Sequence, residues 1–148
     1  MTDAEHDAAI AVLTAVTDHK LLAGWAADCA ERVLLSFETV AAEDLRPRAA
    51  IAAARAWIHG ELKMTDARKA AFAAHTAARD VNTTGAIAAA RACGHAAATA
   101  HVAEHAIQAA RYAVASARAS AAAGDEGVVS KRESEWQYQH LLALRSQL

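Results

Sequence analysis

Apolar residues recur with helical spacing along most of the chain, and the alternation typical of β-strands is missing. Leu22, Trp25, Cys29, Val33 and Phe37 keep the i, i+3, i+4, i+7 spacing of one buried helix face. Comparable stripes predict helices over about 3–18, 21–41, 46–60, 65–80, 86–98, 103–121 and 128–148. The sequence therefore predicts an all-α fold, a compact helical bundle of about seven helices.

Turn and capping residues lie between these predicted helices. Asp44 is expected to cap the third helix, and Pro47 fits its first turn, where a missing N–H costs nothing. Gly60 is expected to end that helix, and Asn82–Thr83–Thr84 to separate the fourth helix from the fifth. Residues 122–127 are predicted to form a loop before the last helix.

A short string recurs within this pattern. Ile51–Ala52–Ala53–Ala54–Arg55 returns as Ile87–Ala88–Ala89–Ala90–Arg91, and loosely as Ile107–Gln108–Ala109–Ala110–Arg111. An interval of about 36 residues is typical of stacked helical hairpins. We therefore predict one domain over residues 1–148, with hairpin repeats over about 46–80 and 83–121 and capping helices over 3–41 and 128–148.

Composition narrows the class of protein. The chain is rich in alanine, and its net charge of −2 gives no basic excess that would favour nucleic acid. No uncharged apolar run is long enough to span a membrane, and the acidic start lacks the pattern of a signal peptide. Cys29 and Cys93 are too few and too far apart for a disulfide framework, so we expect two buried thiols. These features predict a cytoplasmic protein.

Basic side chains occupy equivalent positions in the recurring string. Arg55, Arg91 and Arg111 each follow an isoleucine by one helical turn, and His75 takes the fourth equivalent position. One interpretation is a set of ion pairs between helices; the other is a groove for an anionic ligand or an acidic partner. The candidate ion-pair partners are Glu31, Glu38, Glu61, Asp80 and Glu104.

Histidines suggest a second possible site. The string from His101 to His105 matches the His-x-x-Glu-His pattern of inverzincin peptidases. A helix break predicted near residues 98–103 places His101 in a turn, which argues against two zinc ligands on one helix. Packing histidines are the preferred interpretation, and a metal or small-ligand site formed by His75, His95, His101 and His105 with Glu104 is the alternative.

No other pattern indicates an active site. The sequence has neither a glycine-rich phosphate loop nor a nucleophile elbow, so we predict no enzymatic activity and no cofactor. Trp25, Trp57 and Trp136 are expected to fill the core or the caps, where large aromatics fill gaps between alanine-rich helices. An exposed tryptophan would instead indicate a contact surface.

Several segments, in order, resemble one protein family. They are Trp25-x3-Cys29-x2-Arg32, Phe37–Glu38, Leu45–Arg46–Pro47–Arg48, Arg55–Ala56–Trp57-x2-Gly60–Glu61, Ala74–His75-x-Ala77–Ala78–Arg79, Ala89–Ala90–Arg91–Ala92-x-Gly94, Ala98–Thr99–Ala100–His101–Val102-x2-His105 and Glu135–Trp136–Gln137–Tyr138. Over residues 20–145 the chain resembles the immunity-protein-five-like family of bacterial helical proteins, the putative immunity proteins. Members often carry a proline where this chain has Ala103.

The resemblance implies a function. It implies a cytoplasmic, non-catalytic protein that binds and neutralises a cognate protein toxin. The candidate contact residues are Arg55, Trp57, His75, Arg91, His101, His105 and Arg111. Exposed residues after Gly60 and around 98–102 are further candidates. Two alternatives stay open, namely a metal or small-ligand domain and a structural module that forms a homodimer or larger homo-oligomer.

Overall fold

The fold is all-α, as predicted. A computed structural model describes residues 1–147. Over these residues the chain forms eight helices: α1 (Asp3–Thr14), α2 (His19–Glu31), α3 (Leu34–Glu38), α4 (Arg46–Ile58), α5 (Met64–Arg79), α6 (Thr84–Ala98), α7 (His105–Ala119) and α8 (Glu126–Ser146). None of them combines the length and apolar composition needed to span a membrane.

Helix α6 lies at the centre of the bundle. It packs against α2, α3, α4, α5 and α7, while α1 and α8 pack against each other at one side. Ten of the fifteen residues of α6 are buried, and all ten are alanine, cysteine or glycine. Side chains this small allow neighbouring helices to approach closely, which explains how one helix can contact five others.

A few large side chains fill the space that the alanines leave. Trp25, Phe37 and Leu141 are fully buried. The indole Nε1 of Trp25 donates to the carbonyl of Gln137 at 3.0 Å, and the Gln137 side chain donates to the carbonyl of Ala110 at 2.9 Å. These bonds connect α2 and α7 to α8, and they confirm the core position predicted for Trp25.

Both cysteines are buried free thiols, as expected. Burial raises the pKa of Cys29 well above its usual range, and burial raises the pKa of Cys93 to about 12. Both side chains therefore stay protonated and act as small apolar groups in the core.

The first two helices end earlier than predicted. Helix α1 ends at Thr14 rather than near Asp18, because the Asp18 carboxylate caps α2 by accepting from the backbone N–H groups of Lys20 and Leu21, each at 3.1 Å. The predicted second helix is divided at Arg32–Val33, where Val33 leaves the helical conformation with φ −114° and ψ 0°. This division raises the number of helices from about seven to eight.

Most other boundaries agree with the sequence signals. Gly60, with φ +72°, follows the end of α4, and Pro47 lies in its first turn. The N-cap position belongs to Leu45 rather than Asp44, although the Asp44 carboxylate still accepts the Arg46 backbone N–H at 3.1 Å. Helix α8 begins at Glu126, slightly earlier than predicted. Leu148, assigned to that helix from the sequence, lies outside the described residues.

The two helices with the recurring string, α4 and α6, pack against each other. Helix α5 contacts both, and α7 contacts α6. That the two hairpins are copies of one structural unit stays a prediction.

Candidate functional site

Three histidines from three helices meet on one side of the bundle. The Nδ1 atoms of His95 and His105 lie 2.9 Å apart, so one ring donates a hydrogen bond to the other. The His75 ring meets His95 edge to face, with 4.9 Å between ring centroids. His75 lies on α5, His95 near the end of α6, and His105 at the start of α7. The cluster therefore lies where these three helices come together.

Gly94 makes room for this cluster. A Cβ atom at Gly94 would lie 2.7 Å from both Cε1 and Nε2 of His75, closer than van der Waals contact allows. The missing side chain lets the His75 ring lie directly on the α6 backbone, beside His95. A larger residue at this position would displace the ring.

Aromatic and basic side chains surround the histidines. Tyr112 stacks on His95 with 5.2 Å between ring centroids, and the Arg91 guanidinium lies 5.9 Å from the Tyr112 ring centroid. On α5, Arg68 lies 5.3 Å from the ring centroid of Phe72, which is 57% exposed. We call this surface the α5–α7 face; it comprises Arg68, Phe72, His75, Arg79, Arg91, His95, His105 and Tyr112.

The three histidines are neutral at pH 7. Burial, together with repulsion from His75, His105 and Arg91, lowers the pKa of His95 to about 4. Burial also lowers the pKa of His75, with added repulsion from Arg91, and burial lowers the pKa of His105. The face therefore carries its positive charge on arginines and offers neutral imidazoles between them.

The predicted group of four histidines assembles only in part. His101 is exposed in the turn after α6, and its side chain makes no hydrogen bond or ring contact with residues 1–147. Within the described chain, no group of three or more His, Cys, Asp or Glu side chains is arranged to hold a metal ion. Because His95 and His105 hydrogen bond to each other, their Nδ1 atoms already have partners. The geometry therefore favours a hydrogen-bonded cluster over a metal centre.

Arg55 and Arg111 form ion pairs between helices. Arg55 donates to Asp28 at 2.9 Å and to Glu31 at 2.8 Å, both on α2. Arg111 binds Asp7 of α1 in bidentate fashion at 2.9 and 3.0 Å. Of their three acidic partners, only Glu31 was expected from the sequence. These two arginines follow the first interpretation, the ion pair that connects helices.

Arg91 differs from the other two. Its guanidinium is exposed, and no carboxylate of residues 1–147 lies within ion-pair distance of it. Its contact with Tyr112 leaves the donor groups open to solvent or to another molecule. Of the expected acidic partners, Glu38 pairs with Arg48 and Asp80 with Arg46.

A separate set of ion pairs and ring contacts joins α2, α4 and α8, and we call it the paired network. Arg32 binds Glu133 of α8 in bidentate fashion at 2.7 and 3.1 Å and lies 3.9 Å from the Trp136 ring centroid. His140 stacks on Trp136 and lies 2.8 Å from Asp28. The network comprises Arg32, Glu133, Trp136, His140, Asp28, Arg55 and Glu31. It connects α8, α2 and α4.

Trp57 lies half-buried outside both surfaces. Its ring packs against His19 at 4.9 Å between centroids, near the turn that follows α6. The imidazole of His19 hydrogen bonds to the carbonyl of Thr99 in that turn. Trp57 therefore supports the 99–102 turn from within, and the turn leaves only His101 and Val102 exposed.

The sequence signals missed part of the α5–α7 face. Arg68, Phe72, Arg79 and Tyr112 were not among the predicted contact residues. Uneven charge along the chain could have indicated them, because residues 63–119 contain seven Lys and Arg but three Asp and Glu. The other residues contain eight Lys and Arg and fourteen Asp and Glu. The small net charge of the whole chain conceals this difference.

One comparison with known proteins gives a match. The family model for the Imm-5 like putative immunity protein matches residues 13–144. No curated protein and no solved structure matches the chain significantly.

Proposed function

The chain belongs to the Imm-5 like putative immunity protein family, and on this premise we propose that it binds and neutralises a cognate protein toxin without chemistry of its own. The observation that carries this proposal is the extent of the family match, which covers residues 13–144 and thus all of helices α2 to α7 and all but the last two residues of α8. Only α1 begins before the matched region.

The architecture suits a binding function. Tight binding is favoured when the contact surface is already ordered, because less conformational entropy is lost on association. Here α6 is held by five neighbouring helices, and the paired network holds α8 against α2. Helices α5, α6 and α7 therefore present their outer side chains from a well-packed support.

The test is to identify the partner and to measure its inhibition. The tagged full-length chain is purified from cells of the source organism, and bound proteins are identified by mass spectrometry. We expect one stoichiometric partner whose toxicity in a host cell is relieved when this chain is expressed with it. A chain that is purified alone, or a partner whose toxicity is unchanged, contradicts the proposal.

Self-association needs a separate control. Sedimentation equilibrium of the untagged chain over a hundredfold range of concentration distinguishes a complex with the partner from a homo-oligomer. We expect a constant monomer mass for the chain alone and the mass of a heteromeric complex once the purified partner is added. A mass that rises with concentration supports the homo-oligomer alternative.

A further inference from the structure

We propose that the α5–α7 face is the surface that contacts the partner, and that the partner presents an acidic segment there. This inference rests on the proposed function and adds to it the location of the interface and the chemistry of the partner. Carboxylates of the partner would bind Arg79 and Arg91, and an apolar or aromatic side chain beside them would cover Phe72 and Tyr112.

The first argument is that Arg68, Arg79 and Arg91 of this face have no carboxylate partner among residues 1–147. Of the other arginines, Arg32, Arg46, Arg48, Arg55 and Arg111 each bind a carboxylate, whereas Arg118, Arg132 and Arg145 bind none among residues 1–147. On the face, Arg68 and Arg91 contact aromatic rings, and Arg79 donates to the hydroxyl of Thr76 at 3.2 Å. Within residues 1–147 none of these three is paired with a carboxylate. A guanidinium in this state can bind an external carboxylate in bidentate fashion.

The second argument is local charge. Residues 63–119 carry an excess of positive charge in a chain whose total charge is −2. Of their three acids, Asp80 is already bound to Arg46, Asp66 lies 3.8 Å from Lys69, and Glu104 is exposed next to His105. An acidic partner segment would therefore be attracted to this side of the molecule and repelled by the acidic remainder, which favours one orientation of binding.

The third argument is the rigid aromatic surface between the arginines. Tyr112 is held by stacking on His95, which is itself hydrogen bonded to His105. Tyrosine and arginine are enriched among the residues that contribute most to protein interfaces, because they combine apolar area with polar groups. Phe72 adds an exposed apolar ring at the edge. This mixture suits a folded protein segment better than a phosphate backbone, which favours a more continuous basic surface.

The experiment reverses the charge of the face. With the purified partner, we would measure Kd for the wild-type chain and for the Arg79→Glu/Arg91→Glu double variant, at low and high salt. We expect the double variant to bind about a hundredfold more weakly at low salt, since two attractive contacts become repulsive. The matched control is Arg132→Glu on α8, an exposed arginine with no carboxylate partner among residues 1–147, and it should change Kd less than about threefold.

Thermal unfolding checks that each variant is folded before binding is measured. Arg79, Arg91 and Arg132 are exposed, so the double variant and the control should both melt close to the wild type. Charge-reversed variants of the partner, tested with the single Arg91→Glu variant of this chain, show whether binding can be restored. Replacing the acidic residues of the partner by lysine, one at a time, should restore binding to Arg91→Glu at the contacting position.

Three results would overturn the inference. Unchanged Kd in the double variant would place the interface elsewhere and leave the proposed function intact. Absence of any partner in the purification would remove the proposed function and this inference together. Submicromolar binding of a 20-nucleotide single-stranded RNA that the double variant loses would assign the face to nucleic acid instead.

Discussion

Arg55 and Arg91 end the same five-residue string, yet the fold gives them opposite environments. Arg55 faces α2, where Asp28 and Glu31 accept hydrogen bonds from its guanidinium at 2.9 and 2.8 Å. Arg91 faces outward over Tyr112 and has no carboxylate partner among residues 1–147. The neighbouring helix makes the difference, because α2 brings two acids to α4 and no described helix brings any to Arg91.

The same contrast separates the paired network from the α5–α7 face. Both use arginine, histidine and aromatic side chains. In the paired network the arginines are neutralised by carboxylates, so they hold helices together. On the α5–α7 face the arginines pair with no carboxylate in the described part of the chain and the histidines are uncharged, so the same residue types remain available for contact. An arginine therefore indicates structure or binding only once its acidic partners are known.

Removing Arg32 from the paired network should give the largest loss of folding stability. Arg32→Ala leaves the Glu133 side chain, which is 10% exposed, without its bidentate partner and removes the cation–π contact with Trp136. We expect a loss of about 2 kcal/mol in the free energy of unfolding, less than for a fully buried pair because Arg32 is itself 37% exposed. Urea denaturation measures this change.

A double variant provides the control for this prediction. Arg32→Ala combined with Glu133→Gln no longer buries an unpaired charge, so it should recover roughly half of the lost stability. A double variant less stable than Arg32→Ala alone would show that the charge of Glu133 is not the source of the cost.

As pH falls, the histidine cluster should begin to lose its contribution to stability at a higher pH than the paired network. The folded protein holds His95 neutral down to a pKa of about 4, whereas an unfolded chain protonates it near the ordinary value of 6.5. The unfolded state therefore binds more protons between these values, and stability falls as pH decreases from about 6.5 to about 4. We expect a loss of roughly 2 kcal/mol over this interval, since the ring is only partly buried.

The paired network should respond at lower pH. Hydrogen bonding to Arg55 lowers the pKa of Glu31, so its contribution is present above the unfolded pKa and is lost as pH falls below about 4.5. His95→Gln should reduce the dependence of the unfolding free energy on pH between about 6.5 and 4, and should change it least below pH 4. Urea denaturation at several pH values measures this. If the unfolding free energy changed equally with pH above 4.5 in the wild type and in His95→Gln, the histidine cluster would not be the source of the change.

The smallest losses of stability should come from replacing Arg55 and Arg91, the equivalent arginines of the recurring string. Arg55→Ala should cost about 1 kcal/mol of unfolding free energy, because its ion pairs are partly exposed and screened by solvent. Arg91→Ala should cost less than about 0.5 kcal/mol, since it breaks no ion pair. Equal costs in urea denaturation would remove the distinction between the two positions.

Much of the fold could be predicted from the sequence alone. Helix formation and helix ends depend largely on residues close together in sequence. Apolar spacing, the alanine content, Gly60 and Pro47 therefore predicted the all-α class and most helix boundaries correctly. The motifs spread over residues 20–145 led to the family that the match over 13–144 shows. The errors at Asp18 and Val33 arose where a polar cap or a change of direction divided a continuous apolar pattern.

Tertiary structure alone decided which charged and aromatic residues meet. Helical spacing places Arg55 and Arg91 on equivalent positions of their own helices, but it does not say which helix lies opposite. His75, His95 and His105 were candidates from the start, and the contact between α5, α6 and α7 brought them together while leaving His101 apart. Ion pairs such as that of Arg111 with Asp7 join residues far apart in sequence, and their energies depend on distances that no local pattern encodes.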